Sequence, residues 1–258
     1  MGEIISIHSF RGGTGKSNVT ANVATQVALK GYRVGIVDTD IMSPGIHVLF
    51  GFDETRIQKS LNDFLWGKAT IEEAAYAIHE VAGDDPERAF LKKTKLWLIP
   101  SSIRTAEIAR VLREGYDVGL LNEGFHTIID DLQLDYLFID THPGLNEETL
   151  LSIAISNALI IILRPDNQDF QGTAVTVDIA RKLEVPKLRL VINKALLERY
   201  DEKQMREAIS HQYNAEVAGV LPLSMDVAAN ASSNIFSAIN PDHQWSKVIL
   251  EITENIIS

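Results

Sequence analysis

Between Phe10 and Ser17 the chain reads Phe10-Arg-Gly-Gly-Thr-Gly-Lys-Ser17, a run whose residue types suit a compact polyanion. A nucleoside triphosphate needs backbone N–H groups that converge on it at short range. Gly12, Gly13 and Gly15 let the main chain curl into such a nest without Cβ clashes. Lys16 is spaced to reach the β- and γ-phosphates, and the Ser17 hydroxyl to ligate Mg2+, as in the pattern G-x-x-x-x-G-K-S/T. The run departs from that pattern at one place, because Phe10 stands where the first glycine belongs. The chemistry also needs a helix whose N-terminus opens on the anion.

The surrounding elements supply that context. Short apolar runs at Glu3–His8, Tyr32–Asp38, Leu96–Pro100, Tyr136–Asp140, Ala158–Leu163, Leu188–Asn193 and Glu216–Leu221 read as strands. Continuous runs such as Ala158-Leu-Ile-Ile-Ile-Leu163 suit strands covered on both faces. Between them lie helical spacings at Ser17–Lys30, Glu147–Ser156, Gln168–Leu183 and Asp201–Gln212, and the first stops at Gly31. A last helix is expected over about 242–257, after Pro241. The alternation predicts an α/β fold: a doubly wound, mostly parallel sheet with helices on both faces, of the P-loop NTPase type. No repeat, low-complexity tract or linker divides residues 1–258, so one domain is expected. Gly51–Lys95 is its least regular part, with a loop at Gly83-Asp-Asp-Pro86.

The loop resembles the deviant Walker A sequence K-G-G-x-G-K-S/T of the ParA/MinD ATPases, with Arg11 in the place of the family's first lysine. The likeness extends in family order from near residue 3 to about residue 224. Val37-Asp-Thr-Asp40 resembles switch I, and Tyr136-Leu-Phe-Ile-Asp-Thr-His-Pro-Gly144 resembles the Walker B strand with switch II. The resemblance implies a nucleotide cradle of Gly12, Gly13, Thr14, Gly15, Lys16, Ser17 and Asn18. It implies Asn193 at the adenine edge and Pro222 against the base. It further implies Mg2+ near Ser17, Asp38, Asp40 and Asp140, with catalysis by Lys16, by Asp40 at the attacking water, and by Arg11 reaching across a dimer. Arginine keeps the cation and binds phosphate as a fork, although it is not a lysine, and a surface role for Arg11 stays open. Oxygen donors at the C-terminal ends of strands suit Mg2+, which keeps several waters. His142 either meets the γ-phosphate or a partner, or is a solvated loop residue; Pro143-Gly144 makes that segment a turn able to switch.

On this resemblance the chain is expected to bind ATP and Mg2+, to dimerise when ATP-bound, and to hydrolyse slowly while positioning a cargo, with an activating protein as partner. A nucleotide-binding scaffold with little hydrolysis and a small-molecule ligase or kinase are the alternatives. Composition narrows the class. There are no cysteines, which excludes disulfides and Cys-ligated iron–sulfur clusters. The net charge of −11 argues against wholesale nucleic-acid coating, although Arg181, Lys182, Lys187, Arg189, Lys194, Arg199, Lys203 and Arg206 form a basic zone that leaves non-specific DNA a weak expectation. The tail stripe Trp245, Val248, Ile249, Ile252 and Ile256 lacks the basic polar face of a membrane-lying helix, so it is expected to dock on the domain. Gly2 and Ser6 fit a myristoylation pattern, but their segment reads as a strand. With no secretory signal or spanning segment, a cytoplasmic location is expected.

Overall fold

The computed structural model describes residues 2–81 and 85–258; Gly83 and Asp84, half of the loop expected before Asp85-Pro86, lie outside that range. The first half of the chain runs β1 (Glu3–His8), α1 (Lys16–Leu29), β2 (Arg33–Asp38), α2 (Ile46–Leu49), α3 (Leu61–Leu65), β3 (Tyr76–Ala77) and α4 (Ile78–Val81). A 3-10 helix (Pro86–Lys93) then leads into β4 (Lys95–Ile99), α5 (Thr105–Glu114), α6 (Val118–Asp131) and β5 (Tyr136–Asp140). The second half alternates regularly: α7 (Glu147–Ala154), β6 (Ala158–Leu163), α8 (Asn167–Lys182), β7 (Lys187–Ala195), α9 (Glu202–Tyr213) and β8 (Glu216–Pro222). It ends with α10 (Met225–Ala229), α11 (Phe236–Ile239) and α12 (Gln244–Ile257).

The strands lie in the order β3-β4-β2-β5-β1-β6-β7-β8. Every pairing is parallel except β3 with β4. Alternate residues feed opposite cores, as the two-residue period of a strand requires. Ile5, Ile7, Val34, Ile36, Ile160 and Ile162 join the core built with α1 and α12. Their neighbours Ile4 and Val37 meet Leu121, Phe125 and Ile128 of α6. Leu159 and Ile161 meet α8 and α9 through Val177, Ala180 and Ile209. The apolar run of β6 is therefore covered twice, the condition that its composition predicts.

Register fixes the future site. Asp140 at the end of β5 lies beside Ile7 of β1 on one side and Asp38 of β2 on the other. Two strand-end carboxylates are thereby set next to the turn that follows β1.

The C-terminal helix closes the α1 face. Trp245, Ile249, Ile252 and Ile256 are buried, so the stripe that could enter a bilayer is already covered. Basic side chains hold the helix in place. Lys187 Nζ donates to the carbonyls of Ile256 at 3.0 Å and Ser258 at 2.8 Å, and Arg189 Nε donates to Asn255 Oδ1 at 2.7 Å. Arg206 pairs with Glu251 at 2.8 Å. Much of the basic zone is thus engaged within the chain, and the zone no longer reads as a free cationic face. Among the described residues no helix is long and apolar enough to cross a membrane.

Candidate nucleotide-binding site

The phosphate loop is the turn between β1 and α1. Gly13 and Gly15 have φ of +77° and +90°, a region that a Cβ disfavours. Gly15 is the N-cap of α1, with no side chain bonded to the exposed first-turn N–H groups and no acidic residue in that turn. By contrast, α6, α7 and α8 are capped by Asp117, Asn146 and Asp166. An uncapped helix start behind a left-handed glycine leaves donors and partial positive charge free for an anion.

The loop lines an open trough of about 320 Å3 with Gly12 through Asn18, Asp40, Gly45 and Pro143 on its walls. A second cavity of about 330 Å3 shares Gly15, Asn18 and Ser232 with it and continues past Asn193, Pro222 and Trp245. A polar trough joined to a more apolar chamber has the shape a nucleotide needs, phosphates at one end and base at the other.

Beneath the trough lies a buried charge cluster. Lys16 Nζ donates to Asp140 Oδ1 at 2.8 Å, and both side chains are almost wholly buried. The Thr20 hydroxyl donates to the same oxygen at 3.1 Å. Asp140 Oδ2 is buried with no hydrogen-bond partner. Asp38 accepts the N–H groups of Asp40 and Gly45 through its two oxygens. Burial pushes the Asp38 carboxyl up to about 8, and the neighbouring Asp140 adds to the rise. Burial also raises Asp40, while Lys16 and His142 pull it back. His142 Nε2 stands 3.7 Å from Asp40 Oδ1. The bare Asp140 oxygen and this surplus of carboxylates fit a divalent cation held at Ser17 with phosphate oxygens.

The expected residues divide into three groups. Gly12, Gly13, Thr14, Gly15, Lys16, Ser17, Asn18 and Asp40 line the trough, with Asp38 and Asp140 at the strand ends below it. Asn193 and Pro222 line the second cavity, where the Asn193 amide donates to Thr14 O at 2.7 Å. Arg11 points away from its own trough: its guanidinium bonds Gln168 and lies 3.9 Å from Asp169 at the start of α8, with 41% of the side chain exposed.

Phe10 explains the departure from the loop pattern. Its ring occupies the space over Gly172 of α8, where a Cβ would fall on the ring. Gly172→Ala is expected to force the ring out and lower stability by about 1–3 kcal/mol, the usual cost of overpacking. A denaturant melt that matches wild type would show that Phe10 anchors nothing.

Residues to which the sequence reading gave no role at the site include Thr20, Thr141, Lys194 and His8. The Thr141 hydroxyl donates to Ile7 O at 3.1 Å, so His8 Nδ1, 2.8 Å from Thr141 Oγ1, carries the proton it donates. His8 Nε2 is left buried without a partner. Burial, aided by Lys16 and His142, lowers the His8 pKa to about 3. An unfolded His titrates near 6.5, so between about 6.5 and 3 the unfolded chain binds the extra proton and stability falls as the pH falls. The slope attributable to His8 approaches about 1.4 kcal/mol per pH unit. Asn keeps a donor at the Nδ1 position, so His8→Asn is expected to lose that acid-side slope while keeping the bond to Thr141. Parallel melts from pH 7 to 4 test this, and equal slopes in both proteins would refute it.

Comparison with known proteins places this geometry. The profile of a family described as an AAA domain matches residues 2–190. The iron–sulfur cluster carrier protein of Clostridium perfringens is 30% identical over 258 residues, covering 92% of this chain and 83% of that protein. The chain belongs to the ParA/MinD family of P-loop ATPases. Its fold is that of the Pyrococcus furiosus cell division ATPase MinD, with a TM-score of 0.82 at 22% identity, covering 100% of this chain and 99% of the other. The septum site-determining protein MinD of Pyrococcus horikoshii, solved with Mg-ADP, gives a TM-score of 0.79 at 20% identity over 99% and 96% of the two chains. For this ParA/MinD protein, family membership supports ATP binding and ATPase chemistry in general.

Proposed function

We propose that this ParA/MinD protein binds ATP with Mg2+, pairs face to face with a second copy around the nucleotides, and hydrolyses slowly to position a cellular cargo. The observation that carries the reading is the buried Lys16–Asp140 pair under a glycine nest at an uncapped helix start. That arrangement keeps a cation ready for a triphosphate and a carboxylate ready for the metal.

In this reading the N–H groups from Gly12 to Ser17 hold the phosphates, and Lys16 moves from Asp140 to the phosphate oxygens. Ser17, Asp38 and Asp140 would hold Mg2+, which when bound would supply charge neutralisation for the β- and γ-phosphates. Asp40, on the trough wall, orients the attacking water. Arg11 faces outward, the direction from which it can serve the site of a second copy. The cargo and an activating protein partner complete the cycle. With much of the basic zone engaged in internal bonds and the α12 stripe buried, neither DNA nor membrane gains support as the surface used.

The carrier function in the name of the Clostridium relative does not carry over through a Cys-ligated cluster, because this sequence contains no cysteine. Phosphate release by wild type and Asp40→Ala, with gel filtration in ATP and in ADP, tests the proposal. Wild-type turnover that Asp40→Ala abolishes, with ATP-dependent pairing, supports it. Equal silence of both proteins with pairing retained favours a scaffold. Turnover that needs a small-molecule substrate, without pairing, favours a ligase or kinase.

A further inference from the structure

The end of β7 grips the phosphate loop from behind. Asn193 Nδ2 donates to Thr14 O at 2.7 Å, and Lys194 Nζ donates to Gly13 O at 2.8 Å. Two successive loop carbonyls are thus taken by two successive side chains. A regular strand would send those side chains to opposite faces of the sheet. Here the β7–β8 register shifts between Ile192 and Ala195, and Lys194 adopts φ +60°, rare for a residue with a Cβ. The Asn193 Oδ1 accepts the Lys194 N–H at 2.8 Å, fixing the amide so that its NH2 faces the loop. Gly15 leaves room for this approach: a Cβ there would lie 2.5 Å from Asn193 Nδ2.

Within a planar trans peptide the C=O and the following N–H point in opposite directions. Holding Gly13 O and Thr14 O on one side therefore turns the N–H groups of Thr14 and Gly15 to the other. Both donors line the second cavity, whereas Gly13 and Thr14 line the trough and not that cavity, so the grip comes from the second-cavity side. We propose that Asn193 and Lys194 are positioning residues that set the anion nest before nucleotide arrives, by pulling the Thr14 and Gly13 carbonyls outward. The proposal rests on the nucleotide-binding reading above and deepens it. A glycine-rich turn is otherwise free to sample many conformations, and ordering it is a cost that binding must meet. A pre-set nest lowers that cost for any polyphosphate, whatever its base. The bonds Asn193 makes at both ends of its amide give it a hold on the loop that does not depend on an adenine edge.

Calorimetry with ATP and with base-free inorganic tripolyphosphate, both with Mg2+, separates these roles. Asn193→Ala and Lys194→Met are each expected to weaken both ligands by about tenfold, near 1.4 kcal/mol, leaving their ratio unchanged. Lys194→Arg, which keeps a donor, restores most of the loss. In the ligand-free protein, the 1H–15N resonance of Thr14 moves in Lys194→Met and that of Gly15 moves in Asn193→Ala, since each amide shares a peptide with the released carbonyl. Lys194 is exposed, so its variants fold even if Asn193→Ala does not. A loss confined to ATP would make Asn193 a base reader and overturn the proposal, as would unmoved Thr14 and Gly15 resonances. If wild type binds neither ligand, the nucleotide reading fails, and the ligand-free resonances still decide the grip.

Discussion

Replacing Lys16 with alanine is expected to abolish useful ATP binding and also to weaken the fold. Lys16 is the cation under the nest, and losing a charge-assisted contact to phosphate in a confined site weakens binding by about a hundredfold or more. The same change strands Asp140, whose Oδ1 then keeps only the Thr20 hydroxyl and whose Oδ2 already has no partner. Breaking a buried ion pair from one side costs about 3 kcal/mol or more, because an uncompensated charge remains. Asp140→Asn in the same chain removes that charge and is expected to recover most of the stability without recovering nucleotide binding. Denaturant melts and ATP calorimetry on the single and double variants check both halves. Binding unaffected in Lys16→Ala would end the nucleotide reading, and an unchanged melt would show that the buried pair contributes nothing.

Arg11→Ala is expected to leave stability near that of wild type and to cut phosphate release by about a thousandfold, the effect an arginine supplied across an interface can have. Stability is spared because the 3.9 Å approach to Asp169 is a half-exposed pairing, and such contacts are worth little. Mixing makes the test specific. Arg11→Ala and Asp40→Ala are each expected to be inactive alone. In a mixed pair, the site on the Arg11→Ala chain keeps its own Asp40 and receives Arg11 from its partner. Activity returning on mixing supports the crossing arginine. If the mixture stays silent while ATP still drives pairing, Arg11 serves its own site or none.

Much of this was legible in the sequence because the signals were local. The loop glycines, Lys16 and Ser17 sit in a fixed spacing, and the double-faced strands β5 and β6 are continuous apolar runs. The register that sets Asp140 between Ile7 and Asp38 was not legible, because it depends on β5 pairing with two strands far back in the chain. Other features depended on contacts that no local pattern carries. Helix α6 packs Gly124 against the Phe64 ring, and its glycines and β-branched residues mask a helical period that Leu121, Phe125 and Ile128 do follow. Strand β7 runs on to Ala195, past its expected end at Asn193, because Leu223 N–H returns to Ala195 O at 2.9 Å. His8 looked like one more strand residue, and its tautomer emerged only with Thr141 beside it. The basic zone looked free because the acceptors on α12 lie far along the chain.

The strand order also dictates when the site can come into being. β1 and β2 are consecutive in the chain yet never touch as neighbours, because β5 is inserted between them, and β1's other flank waits for β6. A nascent chain that has not yet delivered Tyr136–Asp140 carries the loop and Asp38 on two unjoined ribbons with open edges. Closure of such distant pairings is slow, and exposed edges meanwhile invite mispairing. Ribosome-bound fragments stopped before residue 136 should therefore lean on chaperones and hold no nucleotide, with competence arriving late and all at once as the central ribbons zip together.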